Sequence, residues 1–201
     1  PALDMTGWRY HRGVELAQSP PRDAKFRGIF DAHFAAVQRY CVRRLSTADA
    51  NDATPEVFLV AWRRFDSIPD GDETLPWLIG VARNVVRNVA RSNRRSVRLA
   101  SKVSDLPIET VPGPETQVVM GSQFEEVQEA LERLSDDDRE IIRLRAWEEL
   151  TAPQIATVFG CSTSAAEKRI TRAWSRLSAA VDRNRAVRPR ELEKGGDDRG
   201  T

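Results

Sequence analysis

Five arginines, Arg83, Arg87, Arg91, Arg94 and Arg98, recur at steps of four, four, three and four. On a helix that spacing gathers the guanidinium groups on one side, with Asn84 and Asn88 beside them. Such a ridge suits the phosphates of a polyanion, because each contact neutralises one phosphate and releases a counterion. A second set lies far along the chain: Thr163, Ser164, Glu167, Lys168, Thr171 and Arg172. Steps of three and four again put them on one helix face. Hydroxyls beside a helix N-terminus suit phosphate, whereas Lys, Arg and Glu suit base edges. Ahead of the first ridge runs DSIPDGDET, Asp66 to Thr74. This run is acidic, so a role there would be hydrogen bonding to an unstacked base and not charge attraction.

Other chemistries find little support. The sequence has no glycine-rich phosphate loop, no HExxH and no activated Ser or Cys constellation. Neither catalytic residues, a metal site nor a cofactor is expected. The two histidines fall in an N-terminal tail and on an apolar stripe, where His33 reads as a core residue. Cys41 and Cys161 each sit inside an amphipathic pattern and read as small buried hydrophobes.

The charge is unevenly distributed. Lys and Arg number 31 against 30 Asp and Glu, a net charge of +1. Yet Ala82 to Arg98 holds six arginines and no acid, and Cys161 to Arg185 holds six bases and two acids. Phe124 to Glu140 carries eight acids and two arginines. Two basic segments in a near-neutral chain suggest a polyanion met at two places.

Helices must position these groups. Phe26, Ile29, Phe30, His33, Phe34, Val37, Tyr40 and Cys41 form one apolar stripe. Thr54-Pro55 reads as the cap and first residue of a helix burying Val57, Phe58, Ala61, Trp62 and Phe65. Trp77, Leu78, Val81, Ala82, Val85, Val86 and Val89 oppose the arginine ridge. Ser104 to Gln123 is too rich in Pro and Gly for a helix. Beyond it, Ser135 caps a helix holding Ile141, Ile142 and Leu144, with three Asp at its positive end. Ile155, Ala156 and Phe159 then mark a short helix stopped by Gly160, and a second helix runs over about 163–181. Ala156 and Ala166 flank that glycine at the spacing of a DNA-binding helix-turn-helix, whose second helix enters the major groove.

The expected fold is all-α: two small helical domains joined by a flexible Pro-rich linker, the C-terminal one containing the helix-turn-helix. The expected boundaries are a tail over 1–24, a domain over 25–98, the linker over 99–123, a domain over 124–183 and a disordered tail over 184–201. The longest apolar run, Val57 to Trp62, is far short of the roughly 20 residues of a membrane span. No signal-peptide pattern opens the chain, so no membrane insertion and a cytoplasmic location are expected.

FDAHFAAVQRYCVRRL, DANDATPEVFLVAWRRFDSI and LPWLIGVARNVVRNVARSNRR resemble, in order, the pieces of the first conserved domain of bacterial sigma factors. EALERLSDDDREIIRLRAWEELTAPQIATVFGCSTSAAEKRITRAWSRL resembles their last conserved domain. With only a short linker between, the chain resembles the extracytoplasmic-function (ECF) group of the sigma-70 family over roughly Phe26 to Val181. The resemblance implies a non-enzymatic initiation subunit that binds the β′ and β subunits of RNA polymerase core and promoter DNA, under control of an anti-sigma factor. It implies that Asp52, Glu56, Phe58, Leu59 and Trp62 dock on the polymerase. Ser67, Ile68, Asp70, Gly71 and Asp72 would capture a flipped base of the minus-ten element, and Arg83, Asn84, Arg87, Asn88 and Arg91 would hold the strand beside it. Trp77 fits a stacking wedge or the core. Thr163, Ser164, Glu167, Lys168, Thr171 and Arg172 would read the minus-thirty-five element. The linker acids Asp105, Glu109 and Glu115 would mimic RNA charge. Two residues depart from the family pattern: Pro55 stands where Gln is usual, and Glu167 where a base is common. The competing reading is a freestanding helix-turn-helix regulator acting without polymerase.

Overall fold

A computed structural model of the chain describes residues 21–101 and 122–194, with side chains over 22–96 and 126–185. The expected N-terminal tail up to residue 20, most of the linker with its three acids, and residues 195–201 lie outside the described residues. All regular structure among the described residues is helical: α1 (Pro21–Val42), α2 (Thr47–Arg63), α3 (Thr74–Ser101), α4 (Ser122–Glu132), α5 (Asp136–Ala146), α6 (Ala152–Phe159) and α7 (Thr163–Lys194). Among them no helix is long and apolar enough to cross a membrane.

Three boundaries differ from expectation, each for a local reason. α1 begins at Pro21, inside the expected tail. Proline is well suited to a first helical position, where its missing N–H has no partner to lose. α2 begins not at Thr54 but after Ser46, whose hydroxyl accepts from the Asp49 N–H at 3.2 Å. Thr54 is buried in mid-helix and donates back to the Ala50 carbonyl at 2.8 Å, and Pro55 stands inside the helix. The earlier cap and the burial of Ala50 and Ala53 outweigh the backbone donor that proline removes. Finally, α7 continues to Lys194 where a disordered tail was expected from 184. Asn184 is only 4% exposed; it donates to the Glu126 carbonyl at 3.2 Å and accepts from Arg133. A satisfied asparagine thus takes the next core position after Ala180.

Ser135 caps α5 by accepting from the Asp138 N–H at 3.2 Å. Thr151 and Gln154 form a capping box on α6. Gly160 ends α6 at φ 62°, ψ 43°, a left-handed conformation that costs any residue with a Cβ roughly 1–2 kcal/mol. The turn into α7 follows at once.

Two cores form. One joins Ala130, Leu131, Ile141 and Ile142 to Ala173, Leu177 and Ala180. The other holds Tyr40, Val57, Leu78, Ala82 and Val85 of α1–α3 together with Leu144, Ile155, Val158 and Ala166 of the C-terminal half. The halves are therefore packed against each other through a shared apolar cluster. α3 and α6 approach closely: a Cβ on Gly80 would lie 3.3 Å from the Val158 carbonyl oxygen.

Candidate nucleic-acid interface

On α7 the six expected residues, Thr163, Ser164, Glu167, Lys168, Thr171 and Arg172, are all exposed, while Ala166, Ala173 and Leu177 are buried on the other side. The separation arises from the apolar stripe, which pins one face of the helix and leaves the polar face to solvent. The Ser162 hydroxyl accepts from the Ala165 N–H at 3.3 Å and so fixes the start of this helix. Thr171 donates to the Glu167 carbonyl at 3.0 Å, which occupies its hydroxyl proton.

The arginine ridge on α3 is only partly open. Asn84, Arg87, Asn88 and Arg91 are exposed. The Arg83 side chain is 12% exposed, lies 4.2 Å from the centre of the Phe159 ring, and meets Asp137 at 2.6 Å. Asp137 also pairs with Arg87 at 3.5 Å, and Asp136 with Arg94 at 3.8 Å. Arg98 lies beyond the described side chains. The acidic N-terminus of α5 thus covers part of the ridge. Sequence reasoning did not assign Asp136 and Asp137 this role, although the opposite charges of the two segments were the signal for it.

Deeper in the same contact, the Arg44 side chain is 3% exposed and bonds Glu140 at 2.9 Å and Glu148 at 3.0 Å. Tyr40 donates to Glu140 at 2.7 Å, and the Arg44 guanidinium lies over the Tyr40 ring at 3.6 Å. Burial works against the Arg44 charge, but Tyr40, Glu140 and Glu148 carry its pKa above the ordinary value. Burial, then the Glu140 charge, raises the Tyr40 phenol well above its usual range. A network this dry is expensive to break from one side, because the partner left behind is a buried charge.

The run before α3 forms two 3-10 turns, Phe65–Ser67 and Gly71–Glu73. Ser67, Asp70, Gly71 and Asp72 are exposed, and Ile68 packs against the core. Gly71 adopts φ 68°, and Thr74 donates to the Pro69 carbonyl at 2.7 Å, which ties the loop closed. Asp70 pairs with Lys25 at 2.8 Å. Trp77 is half-buried against the core.

On α2, Asp52, Pro55, Glu56 and Leu59 are exposed at steps of three and four and so share one face. Leu59 is 48% exposed and sits on this face with two acids. Phe58 does not belong there. It is 4% exposed, with its ring 4.7 Å from Phe30 and 6.0 Å from Phe34, so its place is in the core. Trp62 is half-buried, edge-on to Phe26 at 5.0 Å and under the Arg22 guanidinium at 4.8 Å. The amphipathic period places Phe58 one residue away from the open face, a distinction that residue type alone does not make.

His33 is half-buried, and burial lowers its pKa. Among the described residues no group of three or more His, Cys, Asp or Glu side chains is placed to hold a metal ion.

The family profile Sigma-70 region 2 matches residues 29–96, and Sigma-70, region 4 matches residues 124–177. The RNA polymerase sigma factor CnrH of Cupriavidus metallidurans is 32% identical over 141 residues, covering 67% of this chain and 74% of that protein. The ECF RNA polymerase sigma factor SigL of Mycobacterium tuberculosis is 30% identical over 152 residues, covering 73% of this chain and 83% of SigL. The solved structure of CnrH in complex with the cytosolic domain of CnrY aligns with a TM-score of 0.52 at 25% identity, covering 80% of this chain and 89% of CnrH.

Proposed function

We propose how this chain, which belongs to the sigma-70 family and is an alternative RNA polymerase sigma factor of the ECF type, engages polymerase and promoter. The observation that carries the reading is the exposed polar row on α7 directly after the left-handed Gly160. That row enters the major groove of the minus-thirty-five element. Lys168 and Arg172 supply base or phosphate contacts, and Glu167 accepts from a cytosine amine. Thr163 and Ser164 meet phosphate at the helix start.

The minus-ten element falls to the other half. The loop bearing Ser67, Ile68, Asp70, Gly71 and Asp72 receives an unstacked base, and Asn84, Arg87, Asn88 and Arg91 hold the strand. Arg83 joins them once Asp137 has moved away. Residues 25–98 and 124–183 work as separate modules in this state, and the linker lets them reach two promoter sites. Core polymerase, through its β′ and β subunits, is met by the face of α2 with Asp52, Glu56 and Leu59, and by Trp62 at its end. The chain performs no catalysis of its own. Its place of work is the cytoplasm, where polymerase and chromosome are. An anti-sigma factor restrains it, a reading supported by the complex that the similar CnrH forms with CnrY.

The freestanding-regulator reading is not favoured, since relatives that are sigma factors align across both halves. The test is size-exclusion chromatography of the purified chain with core polymerase, followed by run-off transcription. Co-elution and initiation at a defined start are expected. Absence of a stable complex would overturn the reading.

A further inference from the structure

Three guanidinium nitrogens are buried with no hydrogen-bond partner: Arg44 Nη2, Arg83 Nε and Arg143 Nε. All three residues line one cleft of about 200 Å³, walled by α1 and α3 on one side and α5 on the other. Seven arginines face three carboxylates there, an excess of four positive charges. The carboxylates are already engaged. Glu140 binds Tyr40 and Arg44, Asp137 binds Arg83 and Arg87, and Asp136 binds Arg94 and Arg139. Burial, followed by the like charge of Arg44, pushes Arg143 below its ordinary pKa. The cleft wall therefore carries more cation than carboxylate, and within that wall lie three covered guanidinium nitrogens without a protein partner.

We propose that this cleft binds a small oligophosphate anion, held from within by Arg83 and Arg143 and at the rim by Arg87, Arg91 and Arg94, with the buried Arg44 adding its charge from behind. Guanidinium forks match phosphate oxygens in geometry and charge. Several contiguous negative charges are needed to balance the excess, which favours a phosphate chain over a single carboxylate. The volume lies below the roughly 300–1,000 Å³ of pockets for drug-sized ligands, so an oligophosphate chain fits and a nucleic-acid duplex does not. Both halves of the molecule supply walls, so a bound anion stabilises their closed packing by an amount that grows with the logarithm of its concentration above Kd. Arg83, Arg87 and Arg91 belong to both the cleft and the proposed minus-ten surface, so the anion and the promoter strand compete for them. Anion binding is read on the chain alone, without polymerase or promoter, so its failure is distinguishable from failure of the promoter reading.

The test is calorimetric titration of the full chain with inorganic triphosphate at fixed ionic strength, alongside sulfate and a short single-stranded oligonucleotide. The expected result is one saturable triphosphate site, about tenfold or more tighter than sulfate. Arg143→Met should weaken it about tenfold or more and Arg91→Gln a few-fold, whereas Arg172→Ala on α7 should leave it unchanged. Circular dichroism checks that each variant is folded, and the rim variant Arg91→Gln decides the matter should Arg143→Met not fold. Triphosphate should also raise the melting temperature of the unsubstituted chain. Unsaturable binding, equal affinity for sulfate, or full affinity in a folded Arg91→Gln would overturn the proposal. So would a dependence on Arg143 seen with the oligonucleotide and not with triphosphate.

Discussion

Neighbouring residues with similar chemistry have different fates here, and solvent exposure separates them. Phe58 and Leu59 are adjacent and both apolar, yet one fills the core and the other faces out. Leu59→Asp should therefore abolish co-elution with core polymerase while leaving the melting temperature nearly unchanged, a pair of readouts that one sample provides. Phe58→Asp places a charge among Phe30 and Phe34 and should destabilise the fold by at least about 3–5 kcal/mol, the range for losing a large buried aromatic. If both variants bound core and melted normally, the docking face would lie elsewhere. On α7, Lys168→Ala and Arg172→Ala should each weaken holoenzyme binding to the upstream element by about 1–3 kcal/mol if they read bases. A uniform loss across all sequences would assign them to phosphate instead. The sequence makes the α7 residues legible because polar and apolar positions separate cleanly on the helical period. It does not reveal Arg83 as a packed residue, because its partners Asp137 and Phe159 lie more than fifty positions away.

Elements were legible wherever the signal is local. The three Asp after Ser135, and Gly160 followed closely by α7, announce a helix start and a helix turn from a few neighbouring residues. The start of α2 was obscured because Thr54-Pro55 imitates a cap, while the true cap, Ser46 with Asp49, lies eight residues earlier. The end of α7 was hidden by Asn184, a polar residue in a core position whose partners come from α4 and the turn that follows it. Gly80 was silent in sequence because its constraint comes from the backbone of α6 and not from its own helix. Gly80→Leu should favour α3 as a helix by up to about 1 kcal/mol, yet force Val158 away. Small-angle scattering should then show a larger radius of gyration with helix content retained. An unchanged radius would mean that α3 and α6 accommodate the side chain without separating.

At the scale of the whole molecule, the two basic surfaces differ in availability. The α7 row is open, whereas the α3 ridge is partly covered by the acidic start of α5. Composition made both basic segments and the acidic one visible. It did not say that acid and base meet, since apolar stripes on α3 and α6 look the same whichever surface buries them. In the proposed reading, promoter recognition at two sites requires the halves to part, exchanging the carboxylates of α5 for phosphates along α3. The central claim is that these two helices grip one promoter at separate points. Hydroxyl-radical footprinting of the holoenzyme, on a promoter selected by that holoenzyme from random sequence, tests it directly. We predict two protected patches, the upstream one lost with Lys168→Ala and Arg172→Ala, the downstream one and its melting lost with Arg87→Ala and Arg91→Ala. A single patch, or melting untouched by Arg87→Ala and Arg91→Ala together, would contradict the account.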